Sequence, residues 1–178
     1  YAHVDPTDAG EGPAAELCVH PLFRRRGLGR ALVMPVMAAA ARAYDGLAPF
    51  TSLIGAIVQR FGLRDFRDTL VAIYGAGLDV SDVAALAPLV QEVAEGGDRA
   101  AREILVRAGT DLARSAAAVI ERLGLGRQDR LASYQGAVLE TCALTREAFV
   151  RELDRLVDGV RVEPPKYHPI TGAYLLGR

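Results

Sequence analysis

Hydrophobic residues recur at helical spacing along most of the chain. The longest such run follows Asp98 and keeps a period of about 3.6 residues until Gly124, so a long helix is expected to start at Asp98. Shorter helices are predicted at residues 30–44, from residue 49 onward, at 65–74 with Asp65 as the cap, and at 81–95. The stripe on the long helix predicts an inward face made of Ala101, Ile104, Leu105, Ala108, Leu112, Ser115, Ala116, Val119, Ile120 and Leu123.

One proline interrupts these helical patterns. Pro35 lies inside the predicted helix at residues 30–44, well beyond its first turn. A proline there removes a backbone hydrogen bond and clashes with the preceding turn, at a cost of ~3 kcal/mol or more. We therefore expect this helix to restart near Pro35.

The last part of the chain alternates between strand and helix signals. A strand is predicted at 131–134, a tight turn at Gln135-Gly136, an amphipathic helix at 145–157 with Phe149, Leu153 and Leu156 inward, a strand at 160–163, and a short helix at 169–176. Such β-α-β-α order favours two parallel strands in one sheet. With a further strand predicted at 14–20, the expected fold class is α/β with a helix-rich centre.

Composition and charge limit the partners of the protein. The chain has 178 residues, 51% hydrophobic and 24% charged, which suits one globular domain with a core. Its formal net charge of −1 gives no overall field toward nucleic acid or an anionic membrane, so neither partner is expected. Apolar stretches break well before the ~20 residues of a membrane span, and no secretory signal is visible, so we expect a cytoplasmic protein.

Cysteine and histidine offer little chemistry. Cys18 and Cys142 are the two cysteines, too few for a disulfide framework or a metal cluster, and are expected to be small buried or half-buried hydrophobes. The three histidines, His3, His20 and His168, are far apart in sequence. Because zinc needs three or four converging ligands, we expect no metal site within the chain.

The first candidate motif is a basic, glycine-containing loop. It reads Arg24-x-x-Gly27-x-Gly29, follows the strand at 14–20 and precedes a helix. Glycines let the backbone approach an anion, and the N–H groups and dipole at a helix start favour phosphate. The segment resembles the pyrophosphate loop of GNAT acetyltransferases, and residues 1–33 are most similar to the mycothiol synthase type. The resemblance implies coenzyme A binding by Arg24, Arg26, Gly27 and Gly29; a solvated basic turn is the alternative.

The rest of the chain resembles a second family, in collinear order over residues 34–178. Among the matching segments are Tyr134-Gln-Gly-Ala-Val-Leu, Arg146-Glu-Ala-Phe and Glu163-Pro-Pro-Lys-Tyr-His-Pro-Ile-Thr-Gly-Ala-Tyr-Leu-Leu-Gly. They resemble the C-terminal lobe of BadF/BcrA-type ATPases, which include N-acetylglucosamine kinases of the actin-like and hexokinase-like fold. The expected organisation is therefore a GNAT-like segment at 1–33 followed by half of an actin-like ATPase fold at 34–178.

The second resemblance implies a nucleotide site. Tyr134, Gln135, Gly136 and Ala137 are implied to contact ATP, with Gly136 letting adenosine lie against the backbone because it lacks Cβ. A glycine required only by the turn is the alternative. The resemblance also implies Mg²⁺, a phosphate loop and an acidic base in an N-terminal lobe. No segment of the printed sequence matches that loop or base, so no catalytic residue is assigned within it.

Three functional hypotheses remain open from the sequence. The first is the adenosine-side lobe of an ATP-dependent sugar kinase, inactive as an isolated chain, with a nucleotide and an amino sugar as partners. The second is acetyl transfer from acetyl-coenzyme A through the loop at residues 24–29, although the chain then continues into helices where an acetyltransferase needs strands. The third is a non-catalytic, truncated or chimeric scaffold. A homodimer is compatible with each of them.

Overall fold

The computed structural model describes residues 2–3, 16–17, 28–69, 86–124 and 130–164. The chain divides into two compact units, one made of residues 1–18 and 110–178, the other of residues 19–109. In chain order the described elements are β1 (Ala2–His3), β2 (Glu16–Leu17), α1 (Leu28–Tyr44), α2 (Leu53–Phe61), α3 (Leu86–Glu95), α4 (Arg99–Leu123), β3 (Leu131–Ser133), α5 (Ala137–Thr141), α6 (Ala143–Leu156) and β4 (Arg161–Glu163). The fold class is α/β and rich in helix, as predicted.

Some predictions fall outside the described residues. These are the loop up to Gly27, the second half of the helix at 65–74, the start of the helix at 81–95 and the short helix at 169–176. Cys18 and two of the histidines, His20 and His168, also lie there.

The unit at residues 19–109 is a helical array. Helices α1, α2 and α3 contact one another. Leu53 and Ile57 lie one turn apart on α2 and are fully buried, as are Val36 of α1 and Leu86 and Val90 of α3. Residues four apart lie on the same side of a helix, so this spacing gives each helix one apolar side to bury.

The expected restart of the first helix at Pro35 is wrong. Helix α1 runs continuously from Leu28 to Tyr44 with Pro35 inside it, and it begins two residues before the predicted start at residue 30. Pro35 still lacks the N–H that would bond the carbonyl of the preceding turn. Val36 and Ala40, which follow it on the same helix, are both fully buried. We attribute the continuity to this burial, which offsets the missing hydrogen bond.

The long helix α4 begins as predicted. A tight turn precedes it, in which Gly97 adopts a positive φ of 94°. The carboxylate of Asp98 then accepts a hydrogen bond of 2.9 Å from the N–H of Ala101, so Asp98 is the N-cap. The helix ends at Leu123, immediately before Gly124.

The predicted inward face of α4 is correct in its first half and wrong in part of its second half. Ala101, Ile104 and Leu105 are buried, whereas Ser115 is exposed and its hydroxyl donates to the carbonyl of Asp111. Ala113, which was not predicted, is fully buried. Because the Asp111 carbonyl already satisfies the Ser115 hydroxyl, this side chain needs no buried partner. Ala113 is the residue that packs into the core instead.

The end of the described chain forms the predicted parallel β-α-β unit. Strands β3 and β4 pair in parallel, with Leu131 opposite Arg161 and Ser133 opposite Glu163. Two helices connect them rather than the one predicted, because α5 precedes α6 and the backbone leaves helical geometry at Cys142. Their core, with the second half of α4, is a cluster of Ala113, Ala116, Ile120, Ala132, Phe149, Leu153 and Val157.

One inward position of the last connecting helix is corrected by the structure. Phe149 and Leu153 are buried as predicted, but Leu156 is 40% exposed and Val157 is buried in its place. Leu156 is the last residue of α6, and the backbone is extended at Val157. The helical period therefore no longer applies beyond Leu156.

The strand predicted at 14–20 is described only at Glu16–Leu17. It pairs antiparallel with Ala2–His3. This pair and the β3–β4 pair are separate two-stranded sheets within the described residues. Every helix among the described residues is too short or too polar to span a bilayer.

Candidate functional site

The candidate site lies where the two parallel strands end. Tyr134 follows β3 and Pro164 follows β4, so both lie at the carboxyl edge of this sheet. Beside them is an open groove with a volume of about 490 Å³, lined by Tyr134, Arg146, Glu147, Val150, Arg151, Val162 and Pro164. In open α/β sheets, ligands bind outside the carboxyl ends of the strands. This groove is therefore the candidate ligand site.

Gly136 lies in the loop that leaves β3. Its φ of 117° and ψ of 148° fall in a region that is essentially restricted to glycine. The residue is exposed, and a Cβ built on it would meet no atom within 4 Å. The backbone conformation alone thus explains the glycine, and the space in front of it is open.

A glutamate side chain fastens the Gly136 turn. The N–H of Gly136 donates a 2.8 Å hydrogen bond to the Oε1 of Glu140, one turn further on. The carbonyl of Gly136 accepts hydrogen bonds of 3.1 Å from the N–H groups of Leu139 and Glu140. Both backbone polar groups of Gly136 therefore have partners within the same turn.

An arginine side chain joins α6 to the end of α5. The Nη1 of Arg146 donates 3.0 Å hydrogen bonds to the carbonyl oxygens of Leu139 and Glu140. The last carbonyls of a helix have no partner within it, and a cation there also favours the helix dipole. Arg146 thus satisfies the carbonyl end of α5 and also lines the groove.

The remaining groove residues give it a mixed surface. Glu147, Val150 and Arg151 lie on one face of α6, three and four residues apart, and all three are exposed. Tyr134 and Val162 are half-buried on the sheet side. The surface therefore offers an aromatic ring, aliphatic carbons and charges of both signs to a ligand.

Of the four predicted nucleotide residues, Tyr134 lines the groove and the other three follow it in the chain, while most of the coenzyme A loop lies outside the described residues. Tyr134 lines the groove, Gln135 and Gly136 follow it, and Ala137 begins α5. Arg24, Arg26 and Gly27 lie outside the described residues, whereas Gly29 is the second residue of α1. The predicted loop at 24–29 therefore ends earlier than expected, because the helix includes Gly29.

Sequence reasoning missed the charged residues of the site. These are Glu140, Arg146, Glu147 and Arg151. Glu140 had no recognised signal, since the capping box places a glutamate three residues after the N-cap and Glu140 lies four residues after Gly136. Arg146 had none, because its contact depends on the break between α5 and α6.

A second polar cluster joins the end of α1 to the turn at residues 64–69. The hydroxyl of Tyr44 donates a 2.9 Å hydrogen bond to Asp65, and its ring packs 5.3 Å from that of Phe66. The hydrogen bond to Asp65 raises the pKa of Tyr44. The N–H of Arg67, followed by the Tyr44 hydroxyl, lowers the pKa of Asp65. A tyrosine with a raised pKa is a poorer acid, so we interpret this cluster as a structural contact, with Asp65 acting as the predicted cap.

The other chemistry-bearing residues do not assemble into a metal site in the described part of the chain. No three histidine, cysteine, aspartate or glutamate side chains converge there to hold an ion. Cys142 is buried, as predicted, and accepts a hydrogen bond from the hydroxyl of Thr145 at 3.3 Å.

Comparison with known proteins decides the family. The family model of the BadF/BadG/BcrA/BcrD ATPases matches residues 26–177. The chain belongs to this family. Its resemblance to BadF/BcrA-type ATPases, inferred from the sequence, is thereby confirmed. The match also begins within the segment assigned to the acetyltransferase-like loop, and it includes Arg26, Gly27 and Gly29.

Curated relatives of two kinds match this family member. The N-acetylmuramic acid/N-acetylglucosamine kinase of Clostridium acetobutylicum is 24% identical over 152 residues, which cover 85% of this chain and 50% of the kinase. The mycothiol acetyltransferases of Streptosporangium roseum and Salinispora arenicola are 60% identical over 37 residues and 55% over 38. Each covers 21% of this chain, and 11% and 12% of the relative, respectively. The chain thus spans half the length of the kinase and about a tenth of the acetyltransferases.

Proposed function

We propose that the chain supplies the adenosine side of an ATP-dependent sugar kinase of the N-acetylglucosamine kinase type. In this proposal residues 34–178 form the C-terminal lobe of an actin-like fold. The observation that carries the proposal is the open Gly136 turn at the carboxyl end of β3, beside the groove. Membership of an ATPase family and the match to a sugar kinase support it.

The loop suits a nucleoside better than a phosphate. A nucleoside can approach the exposed backbone of Gly136 because no side chain fills that space. A phosphate there would meet the Glu140 carboxylate, which already accepts the Gly136 N–H. Two negative charges at such short range repel each other. Tyr134, Gln135, Gly136 and Ala137 would therefore hold the nucleoside, with Val150 and Val162 offering apolar surface.

The phosphate-binding part of the reaction belongs, in this proposal, to another lobe. Bound ATP with Mg²⁺ supplies the phosphoryl group and the charge that balances it. An amino sugar is the proposed acceptor. We expect the 178-residue chain alone to leave N-acetylglucosamine unphosphorylated, since catalysis of this type depends on positioning groups around the phosphates.

Calorimetric titration of the chain with ATP and with AMP tests the proposal. Two valines with similar exposure provide matched variants, Val150 in the groove at 36% and Val106 on α4 at 39%. We expect modest and similar affinity for both nucleotides. Val150→Asp should weaken both on the order of 10-fold, because it adds a carboxylate to the site, and Val106→Asp should not.

Three results would contradict the proposal. If neither nucleotide binds at millimolar concentration, or if the two valine variants bind alike, the non-catalytic scaffold is the better hypothesis. Much tighter binding of ATP than of AMP would instead show that the chain binds the β- and γ-phosphates. That result would refute the proposal that the loop contacts only the nucleoside.

Coenzyme A binding at residues 24–29 is the second candidate function. The observation that favours it is the high local identity to mycothiol acetyltransferases. In this alternative, Arg24, Arg26, Gly27 and Gly29 surround the pyrophosphate. A cytoplasmic location and a homodimer stay predictions under either function.

A further inference from the structure

The conformation of the Gly136 turn depends on contacts with residues outside the turn. Helix α5 has only five residues, and isolated helices of that length are not stable in water. Glu140 belongs to α5, so its bond to the Gly136 N–H holds only while α5 keeps its shape. A contact from a longer element is needed to keep it.

Leu139 of α5 packs against the buried cluster, and Arg146 adds a charged contact to the backbone of the same helix. Arg146 lies in the first turns of α6, a helix of 14 residues whose Ala148, Phe149 and Leu153 are buried. Its Nη1 reaches the carbonyls of Leu139 and Glu140, six to seven residues earlier. Hydrogen bonds from a charged donor are stronger than neutral ones. The guanidinium thus fixes the backbone that carries the Glu140 side chain.

We propose that Arg146 is a positioning residue for nucleotide binding. By holding the Leu139 and Glu140 carbonyls, it keeps the Glu140 carboxylate against the Gly136 N–H and so keeps Gly136 in its glycine-only conformation. Its effect on the ligand passes through the loop. The inference rests on the proposed nucleotide site, and its test must separate the two.

Amide hydrogen exchange measures how strongly Arg146 stabilises the loop in the absence of any ligand. Arg146→Gln in the 178-residue chain should speed exchange of the Gly136, Leu139 and Glu140 amides by on the order of 10-fold, because a charge-assisted contact is lost. Exchange of the buried Leu153 amide should not change. Arg155→Gln is the control, since it removes the same charge from the same helix, where Arg155 pairs with Glu152.

Nucleotide titration measures the consequence. ATP and AMP should bind on the order of 10-fold more weakly to Arg146→Gln than to the wild type or Arg155→Gln. Arg146→Lys should give an intermediate loss, because an ammonium is a point donor without the planar fork. If Arg146→Gln does not fold, that intermediate loss in Arg146→Lys supports the proposal, and wild-type exchange and affinity in Arg146→Lys overturn it.

The outcomes separate this inference from the proposed function. If the wild type binds nucleotide and Arg146→Gln binds equally well, the positioning role is wrong and the proposed function stands. Equal loop exchange in Arg146→Gln and Arg155→Gln would likewise overturn it. If the wild type binds neither nucleotide, the proposed function fails, and with it the role of Arg146 toward a ligand, while faster loop exchange would leave Arg146 as a purely structural anchor.

Discussion

The carboxylate of Asp98 accepts a hydrogen bond of 2.9 Å from the buried hydroxyl of Thr51, which lies 47 residues earlier. The same carboxylate accepts the N–H of Ser52 at 2.7 Å and that of Ala101 at 2.9 Å. Burial alone would raise the pKa of Asp98, but these hydrogen bonds outweigh it, and the pKa is lowered. One side chain therefore caps α4 and attaches it to the start of α2.

Replacement of Asp98 by alanine should destabilise the protein by about 1–3 kcal/mol. The change removes a helix cap and leaves the buried Thr51 hydroxyl without its acceptor. Denaturant unfolding of the variant measures the loss. The exposed Asp154 on α6 provides the control, and Asp154→Ala should change the free energy of unfolding by less than about 0.5 kcal/mol. Equal effects of the two substitutions would contradict the role of Asp98.

Stability should fall as the solution is acidified. The pKa values of Asp98, Asp65 and Glu152 are all lowered, Glu152 first by its hydrogen bond from Arg155. A carboxylate with a lowered pKa binds fewer protons when folded than when unfolded. Its contribution is therefore complete above the unfolded pKa, near 4, and is lost as the pH falls through the folded value.

Urea unfolding at a series of pH values between about 6 and 2 measures this dependence. We expect the free energy of unfolding to decrease with acid below about pH 4. In Asp98→Asn the decrease should be smaller, because one of the protonating groups is gone. An unchanged slope in that variant would mean that Asp98 does not contribute to the acid sensitivity.

Substitution of Gly136 should strain the backbone as well as fill the site. With φ at 117°, any side chain there costs on the order of 1–3 kcal/mol, although a Cβ would meet no neighbouring atom. Gly136→Val should therefore lower the thermal midpoint. It should also weaken ATP and AMP binding under the proposed function. Gly46, with φ at 72° and equally open space, provides a control, because Gly46→Val should destabilise without affecting nucleotide affinity.

Acetyl transfer should be absent. The coenzyme A-like loop is followed by helices α1 and α2, whereas an acceptor site in an acetyltransferase needs a further strand. Steady-state release of free coenzyme A from acetyl-coenzyme A with a panel of amine acceptors measures the activity. Turnover that disappears in the double variant Arg26→Ala, Gly27→Val would reverse the order of the two candidate functions, whereas weak coenzyme A binding without turnover would not.

Removal of residues 1–23 should leave a cooperative thermal transition. In the described residues, β2 pairs with β1, and β3 pairs with β4, so the deletion breaks no hydrogen bond of the parallel sheet. The buried cluster around Phe149 and Leu153 also stays complete. Calorimetry of the shortened chain tests the proposed boundary near residue 33. Residues 1–18 belong to the same compact unit as residues 110–178, and β2 contacts β3. Loss of all cooperativity would therefore show that this contact is required for folding.

Local features of the fold could be predicted from the sequence because interactions between residues close in the chain determine them. A capping aspartate followed by an apolar stripe was sufficient to predict α4 from Asp98. Two short strands separated by a helical pattern predicted the parallel β3–β4 pair, since connection rules leave few alternatives. The collinear match of segments such as Tyr134-Gln-Gly identified the family. It also directed attention to the carboxyl end of β3, beside which the groove lies.

The tertiary structure decided which side chains meet. The periodicity on α4 could not choose between Ser115 and Ala113, because their burial depends on the elements packed against the helix. Helix α1 continues past Pro35, which local propensity opposes. The groove needs β3, β4 and α6 side by side, and Arg146 reaches Leu139 and Glu140 only after the chain breaks at Cys142. The sequence therefore determined the elements and their order, whereas long-range packing determined the helix faces and the charged part of the site, because those contacts join residues that no local pattern relates.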